Sequence, residues 1–109
     1  MSAISTHVLD TTRGRPAAGI PVTLDLQLSD REWTRVGGGT TDADGRVQTL
    51  LHPAAILLEG SYRLTFDVQS YQPGFYPQVV IVFRVENPDE HYHVPLLLSP
   101  FGFTTYRGS

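Results

Sequence analysis

The chain has 109 residues, no cysteine, eight arginines, no lysine and a formal net charge of -3. That length supports one hydrophobic core, so residues 1–109 read as a single domain, and the missing thiols exclude a disulfide framework, a cysteine nucleophile and a thiolate metal site. The arginines are scattered from Arg13 to Arg107 and form no phosphate-binding stripe; the longest apolar run, Val79 to Phe83, is too short to cross a bilayer. A soluble, cytoplasmic protein with neither nucleic acid nor membrane as partner is the expectation.

Apolar and polar residues alternate with period two along most of the chain, the pattern of half-buried strands. The first predicted strand runs from Ile4 to Asp10, with Ser5, His7 and Leu9 on one face and Ile4, Thr6, Val8 and Asp10 on the other. Thr11 to Ala18, rich in Gly and Pro, reads as a loop. From Ile20 to Leu28 the apolar Val22, Leu24, Leu26 and Leu28 alternate with Thr23, Asp25 and Gln27. Trp33 to Thr41 reads as a strand interrupted by Gly37-Gly38-Gly39, and Asp42-Ala43-Asp44-Gly45 as a tight turn that delivers Arg46 to a short strand ending at Leu50. His52-Pro53 opens the one candidate helix, over Ala54 to Leu58, because proline suits a first helical turn. Ser61 to Val68 alternates again, Gln69 to Pro77 is a turn-rich connection, and Gln78 to Val85 is a strand closed by the Glu86-Asn87-Pro88-Asp89 turn. His91 to Ser99 and Phe101 to Arg107 form a closing pair around Ser99-Pro100. Seven or eight short strands with Gly/Pro turns predict an all-β, two-sheet antiparallel sandwich with at most one short helix.

Chain ends usually fray, yet Phe101, Phe103 and Tyr106 recur almost to the last residue here and are expected to tie the tail into the fold, fixing Arg107 and the Ser109 carboxylate. His93 shares a strand face with His91, Pro95 and Leu97. An imidazole held that rigidly moves protons near neutral pH; the alternative is a partly buried histidine satisfied by a backbone carbonyl. His7 poses the same question, and the two imidazoles converge only if the first strand pairs near the penultimate one. Arg46 is either a solvated side chain or a planar fork that grips a polar or anionic ligand. Arg107 neutralises either the terminal carboxylate or an acidic neighbour. His91 and His93 stand two apart as a shared metal would need, but no third ligand follows at a recognisable spacing. No Gly-x-Ser-x-Gly elbow occurs, which disfavours a serine nucleophile.

Five segments together carry a resemblance: Ser5-Thr6-His7-Val8-Leu9-Asp10, Asp44-Gly45-Arg46, Phe75-Tyr76-Pro77, Tyr92-His93-Val94-Pro95-Leu96-Leu97 and the ending Tyr106-Arg107-Gly108-Ser109. Along essentially its whole length the sequence resembles the transthyretin-like family, and specifically its enzyme branch, the 5-hydroxyisourate hydrolases. The hormone-carrying transthyretins resemble the core strands but lack the Tyr-Arg-Gly-Ser ending and the histidines.

The resemblance implies a sandwich of two four-stranded sheets that pairs by its edge strands and stacks into a homotetramer, a dimer of dimers, with active sites where dimers meet. It implies hydrolysis of 5-hydroxyisourate to 2-oxo-4-hydroxy-4-carboxy-5-ureidoimidazoline in urate degradation, a step of purine metabolism, with no metal and no cofactor. Carried over residue by residue, it assigns catalysis to His7, Arg46, His93 and Ser109, with His7 and His93 activating water and Arg46 binding the substrate. Tyr106, Arg107 and Ser109 join these three in contacting the substrate. The link from the Ser61 to Val68 strand to Phe75-Tyr76-Pro77 is short, so the helix usual there in the family is expected to be curtailed or missing. The competing reading is a non-catalytic small-molecule carrier of the transthyretin type.

Overall fold

Alternation builds two sheets around one core. In the computed structural model of the chain, residues 3–109 are described. The strands are β1 (Ile4–Asp10), β2 (Arg15–Pro16), β3 (Pro21–Ser29), β4 (Glu32–Thr40), β5 (Arg46–Val47), β6 (Gly60–Phe66), β7 (Val79–Val85), β8 (Tyr92–Ser99) and β9 (Gly102–Thr105). One sheet runs β2-β1-β8-β9 with β5 also pairing β1, and the other runs β4-β3-β6-β7. Ile4 and Val8 of β1, Leu24 of β3, Leu64 of β6 and Leu96 of β8 are all fully buried in a single apolar cluster. The opposite faces of these strands are left for water or for chemistry.

The sandwich is as expected, with one pairing that differs: β1 lies parallel to β8, making its sheet mixed. The Gly37–Gly39 tract does not interrupt β4, which continues through it to Thr40. Small residues there let the segment after β5 lie close, with the Gly38 amide donating to Leu50 and the His52 amide to Val36.

No helix forms among the described residues, either at Ala54–Leu58 or in the link before Phe75. A segment that short cannot offset the cost of helix nucleation. Its backbone is instead held from outside: the Tyr62 hydroxyl donates to the Leu58 carbonyl and accepts from the Leu58 amide.

The C-terminal end of β1 is locked by Asp10, whose carboxylate is 1% exposed. It accepts the amides of Thr12 and Arg13 at 3.0 Å each and the Tyr71 hydroxyl at 2.7 Å. Burial works to raise its pKa, but the Tyr71 hydroxyl and the two amides outweigh it and hold the group below its ordinary 3.8. Because the folded value is the lower one, this contribution to stability is in place above the unfolded pKa and is lost as pH falls through the folded one. Replacing Tyr71 with Phe is expected to cost about 1–2 kcal/mol in denaturant titration and to move acid unfolding to higher pH; an unmoved acid midpoint would contradict this role for Asp10.

Candidate active site

The parallel pairing of β1 with β8 brings the two ends of the chain together. Its register sets Ser5 opposite His93 and His7 opposite Pro95, and it is reinforced by the buried Thr6 hydroxyl, which donates to the Val94 carbonyl at 2.6 Å. Thr6 and Val8 point into the core together with Tyr92, Val94 and Leu96. Ser5, His7 and His93 therefore face outward on the same side of the sheet.

Arg46 joins them through the turn before it. Gly45 adopts φ +77°, a conformation that strains any side chain, and its carbonyl accepts the Val8 amide at 2.7 Å. One Asp42 carboxylate oxygen accepts the amides of both Asp44 and Arg46 at 2.9 Å. The turn thus hands β5 to β1 with Arg46 directly opposite His7.

An open depression of about 380 Å³ on this face is lined by Ser5, Thr6, Arg46, Gln48, His91, His93 and Ser109. His7 stands beside it, close enough to act on the protonation of His93. Ser5 Oγ lies 2.8 Å from His93 Nδ1 and 3.2 Å from His91 Nε2, and the two imidazoles are near-parallel at 6.4 Å between centroids. Burial first, then the positive charge of Arg46 and of protonated His91 and His7, pull the His93 pKa below 6.5, against the opposing hydrogen bond to the Ser5 backbone. His93 is thereby kept neutral, a proton acceptor at neutral pH.

A larger groove of about 720 Å³ runs between β4 and residues 49–55. Its one imidazole, His52, has Nδ1 taken by the Ala54 amide, so the convergent polar groups lie in the smaller depression. No three His, Cys, Asp or Glu side chains among the described residues converge as metal ligands would. No helix among them is long and apolar enough to cross a membrane.

The tail reaches the depression by extending the β8–β9 ladder. Leu96 pairs with Thr105, and His93 bridges to Gly108 in the same register. The ladder skips between them, where Pro95 has no N–H to donate. The Gly108 amide donates to the His93 carbonyl at 2.8 Å. A methyl on Gly108 would come within 2.6 Å of His93 Cδ2 and 3.1 Å of Pro95 Cγ, so the Tyr-Arg-Gly-Ser ending needs glycine at that place.

Two expected site residues are not brought there. Arg107 donates to Glu90 at 2.8 Å and lies over the Tyr92 ring at 4.5 Å; of the two roles open to it, it takes the acidic neighbour. Tyr106 borders the groove between β7 and the tail. Of the tail aromatics, Phe103 packs edge-on against Tyr76 at 5.3 Å between centroids, whereas Phe101 and Tyr106 are 81% and 54% exposed; hydrogen bonds to β8 hold the last residues. Ser5 and Gln48 were not singled out by sequence. The signal for Ser5 was its place two residues before His7, on the same strand face.

Residues 4–108 match the family described as HIUase/Transthyretin. The chain belongs to that family. It is 43% identical to a 5-hydroxyisourate hydrolase of Mus musculus, with 99% of this chain and 96% of that protein covered. It is 46% identical to the uric acid degradation bifunctional protein TTL of Arabidopsis thaliana over 97% of this chain, which spans only 37% of that longer protein. Among solved structures, the 5-hydroxyisourate hydrolase of Klebsiella pneumoniae superposes with a TM-score of 0.83 at 33% identity, each chain covered completely. Transthyretin from Sparus aurata gives 0.88 at 30% identity, covering 99% of this chain and 97% of that one. Enzyme and carrier thus share the backbone, and the side chains of the site must separate them.

Gly108→Ala is expected to lift the tail from β8. In the wild type the amide of residue 108 should resist hydrogen exchange, and in the variant it should exchange freely; equal protection in both would contradict the packing of Gly108 on His93.

Proposed function

We infer that this chain is a hydrolase that opens the ring of 5-hydroxyisourate, with His7, Arg46 and His93 as its working groups. The observation that carries the reading is the outward face on which β1, β5 and β8 set His7 opposite Arg46 and beside a neutral His93. Ring opening at an acyl carbon requires a base for the attacking water, relief for the carbonyl oxygen as it gains charge, and a proton for the departing ring nitrogen. His7 and His93 serve as the pair that takes the proton from water and returns it to nitrogen as the C–N bond breaks. Arg46 offers a planar fork to the substrate and to the developing oxyanion, and Ser109 contacts the substrate from the rim.

The depression is open to solvent on the outer face of its sheet, which supports a working unit in which a second copy closes it, within a homotetramer. The β7 edge supports pairing as well, since its Val80 and Val82 are exposed in the single chain. A cysteine-free chain needs no oxidising compartment, in keeping with a cytoplasmic location. The carrier reading draws on the likeness of fold to transthyretin. Against it, the lining offers two imidazoles, a guanidinium, an amide and three hydroxyl residues rather than an apolar wall for an aromatic hormone. Thyroxine should show no saturable binding in calorimetry.

Replacing either His7 or His93 with Asn should lower turnover by roughly 100-fold or more, the worth of a general acid or base, followed by ultraviolet decay of freshly made substrate. Undiminished turnover in both variants would contradict the assignment. In the wild type, kcat/KM should hold as pH falls through 6.5 and decline only below it, because His93 stays unprotonated there. Arg46→Gln removes one of the charges that keep it so, and the acid decline should move to higher pH.

A further inference from the structure

His93 uses one ring nitrogen, Nδ1, on a group that neither the substrate nor the tail supplies. Ser5 Oγ lies 2.8 Å from it, and the same oxygen lies 3.2 Å from His91 Nε2. Ser5 is only 8% exposed, whereas both imidazoles are partly open to solvent. A hydroxyl has one proton to give and lone pairs to accept with, so one hydroxyl between two imidazole nitrogens orders a chain with a direction. With Nδ1–H of His93 donating to Ser5 and Ser5 donating to His91 Nε2, the basic lone pair of His93 sits on Nε2.

We propose that Ser5 is a positioning residue that fixes the tautomer of His93 and connects it to His91 as a proton reservoir during hydrolysis. The inference rests on the hydrolase reading above. Its step balances: when His93 Nε2 takes a proton from the attacking water, the Nδ1 proton passes to Ser5 Oγ as the Ser5 proton passes to His91 Nε2. His93 is left neutral with its proton on Nε2, ready to donate to the departing ring nitrogen, and the reverse transfer restores the start. The charge moves to His91, which sits on the approach to β8 rather than within it. Charged groups that bear on His93 are Arg46 from β5, His7 from β1 and His91 itself, and all three disfavour a lasting charge on it. A relay that removes that charge answers this.

The test compares Ser5→Ala, Ser5→Thr and His91→Phe with the wild type. Ser5→Ala should lower kcat about tenfold, less than loss of the base itself, with KM nearly unchanged, and Ser5→Thr, which keeps the hydroxyl on a strand that suits a branched side chain, should restore it. Ser5→Ala removes the hydroxyl that accepts from His93 Nδ1–H in this arrangement, an acceptor that favours the charged ring, so the acid decline of kcat/KM should move to lower pH. His91→Phe removes a neighbour whose protonated form disfavours charge on His93, so its decline should move to higher pH while kcat falls. Opposite movements of the two profiles are not expected of a residue that merely packs. If wild type turns over substrate and Ser5→Ala matches it in kcat and in profile, the relay is overturned and the hydrolase reading stands. Ser5→Thr no better than Ser5→Ala overturns it equally. Should Ser5→Ala fail to fold, His91→Phe with wild-type kcat and an unmoved profile overturns it. A wild type without turnover would instead remove the hydrolase reading itself.

Discussion

The parallel pairing of β1 with β8 is the contact on which everything at the site depends. It joins residues more than 80 positions apart in sequence, with Ser5 set against His93 and His7 against Pro95. Such a pairing carries a high entropic cost of loop closure and must be specified strongly. Core burial of Ile4, Val8, Tyr92 and Leu96 on the inner face specifies it, and so does the Thr6 hydroxyl on the Val94 carbonyl. A slip of β1 by one residue against β8 would turn Ser5 and His7 into the core and put Val8 in water. Core packing and site geometry are therefore set by the same register.

Around that pairing the electrostatics follow from position. Three positively charged or protonatable neighbours act on a partly buried imidazole, so His93 loses its proton more readily than a free histidine does. Arg46 is held for this by backbone, through the Asp42 turn, leaving its side chain unoccupied by any ion pair among the described residues. Arg107, by contrast, is fully engaged with Glu90 and Tyr92. Two arginines that look alike in sequence thus have different duties: one faces the depression, and the other anchors the tail that carries Gly108 onto His93.

Much of the fold was legible from alternation alone. The first strand, Ile4 to Asp10, and the split of its residues between core and outer face follow from period two. The Asp42–Gly45 turn and the arrival of Arg46 follow from turn chemistry. Strand order does not, because alternation fixes a strand's faces but says nothing about which neighbour it takes or in which direction. The β1–β8 contact therefore stood as a condition rather than a result. Local propensity favours a helix over Ala54–Leu58, but a hydroxyl from outside the segment, that of Tyr62, holds the backbone otherwise. Placement of Tyr106 and Arg107 likewise turned on Pro95, whose missing N–H breaks the ladder between Thr105 and Gly108. Alternation places Ser5 on the His7 face but gives it no role, because its importance lies in a cross-strand partner and not in its neighbours along the chain.

The central claim is that the fold holds a neutral imidazole at His93 beside His7 and Arg46. Nitrogen NMR of the histidine rings across a pH titration of the assembled protein tests it most directly. The account requires His93 to titrate below 6.5, with its neutral form protonated on Nδ1. A His93 ring that is already cationic at pH 6.5 and above would contradict it.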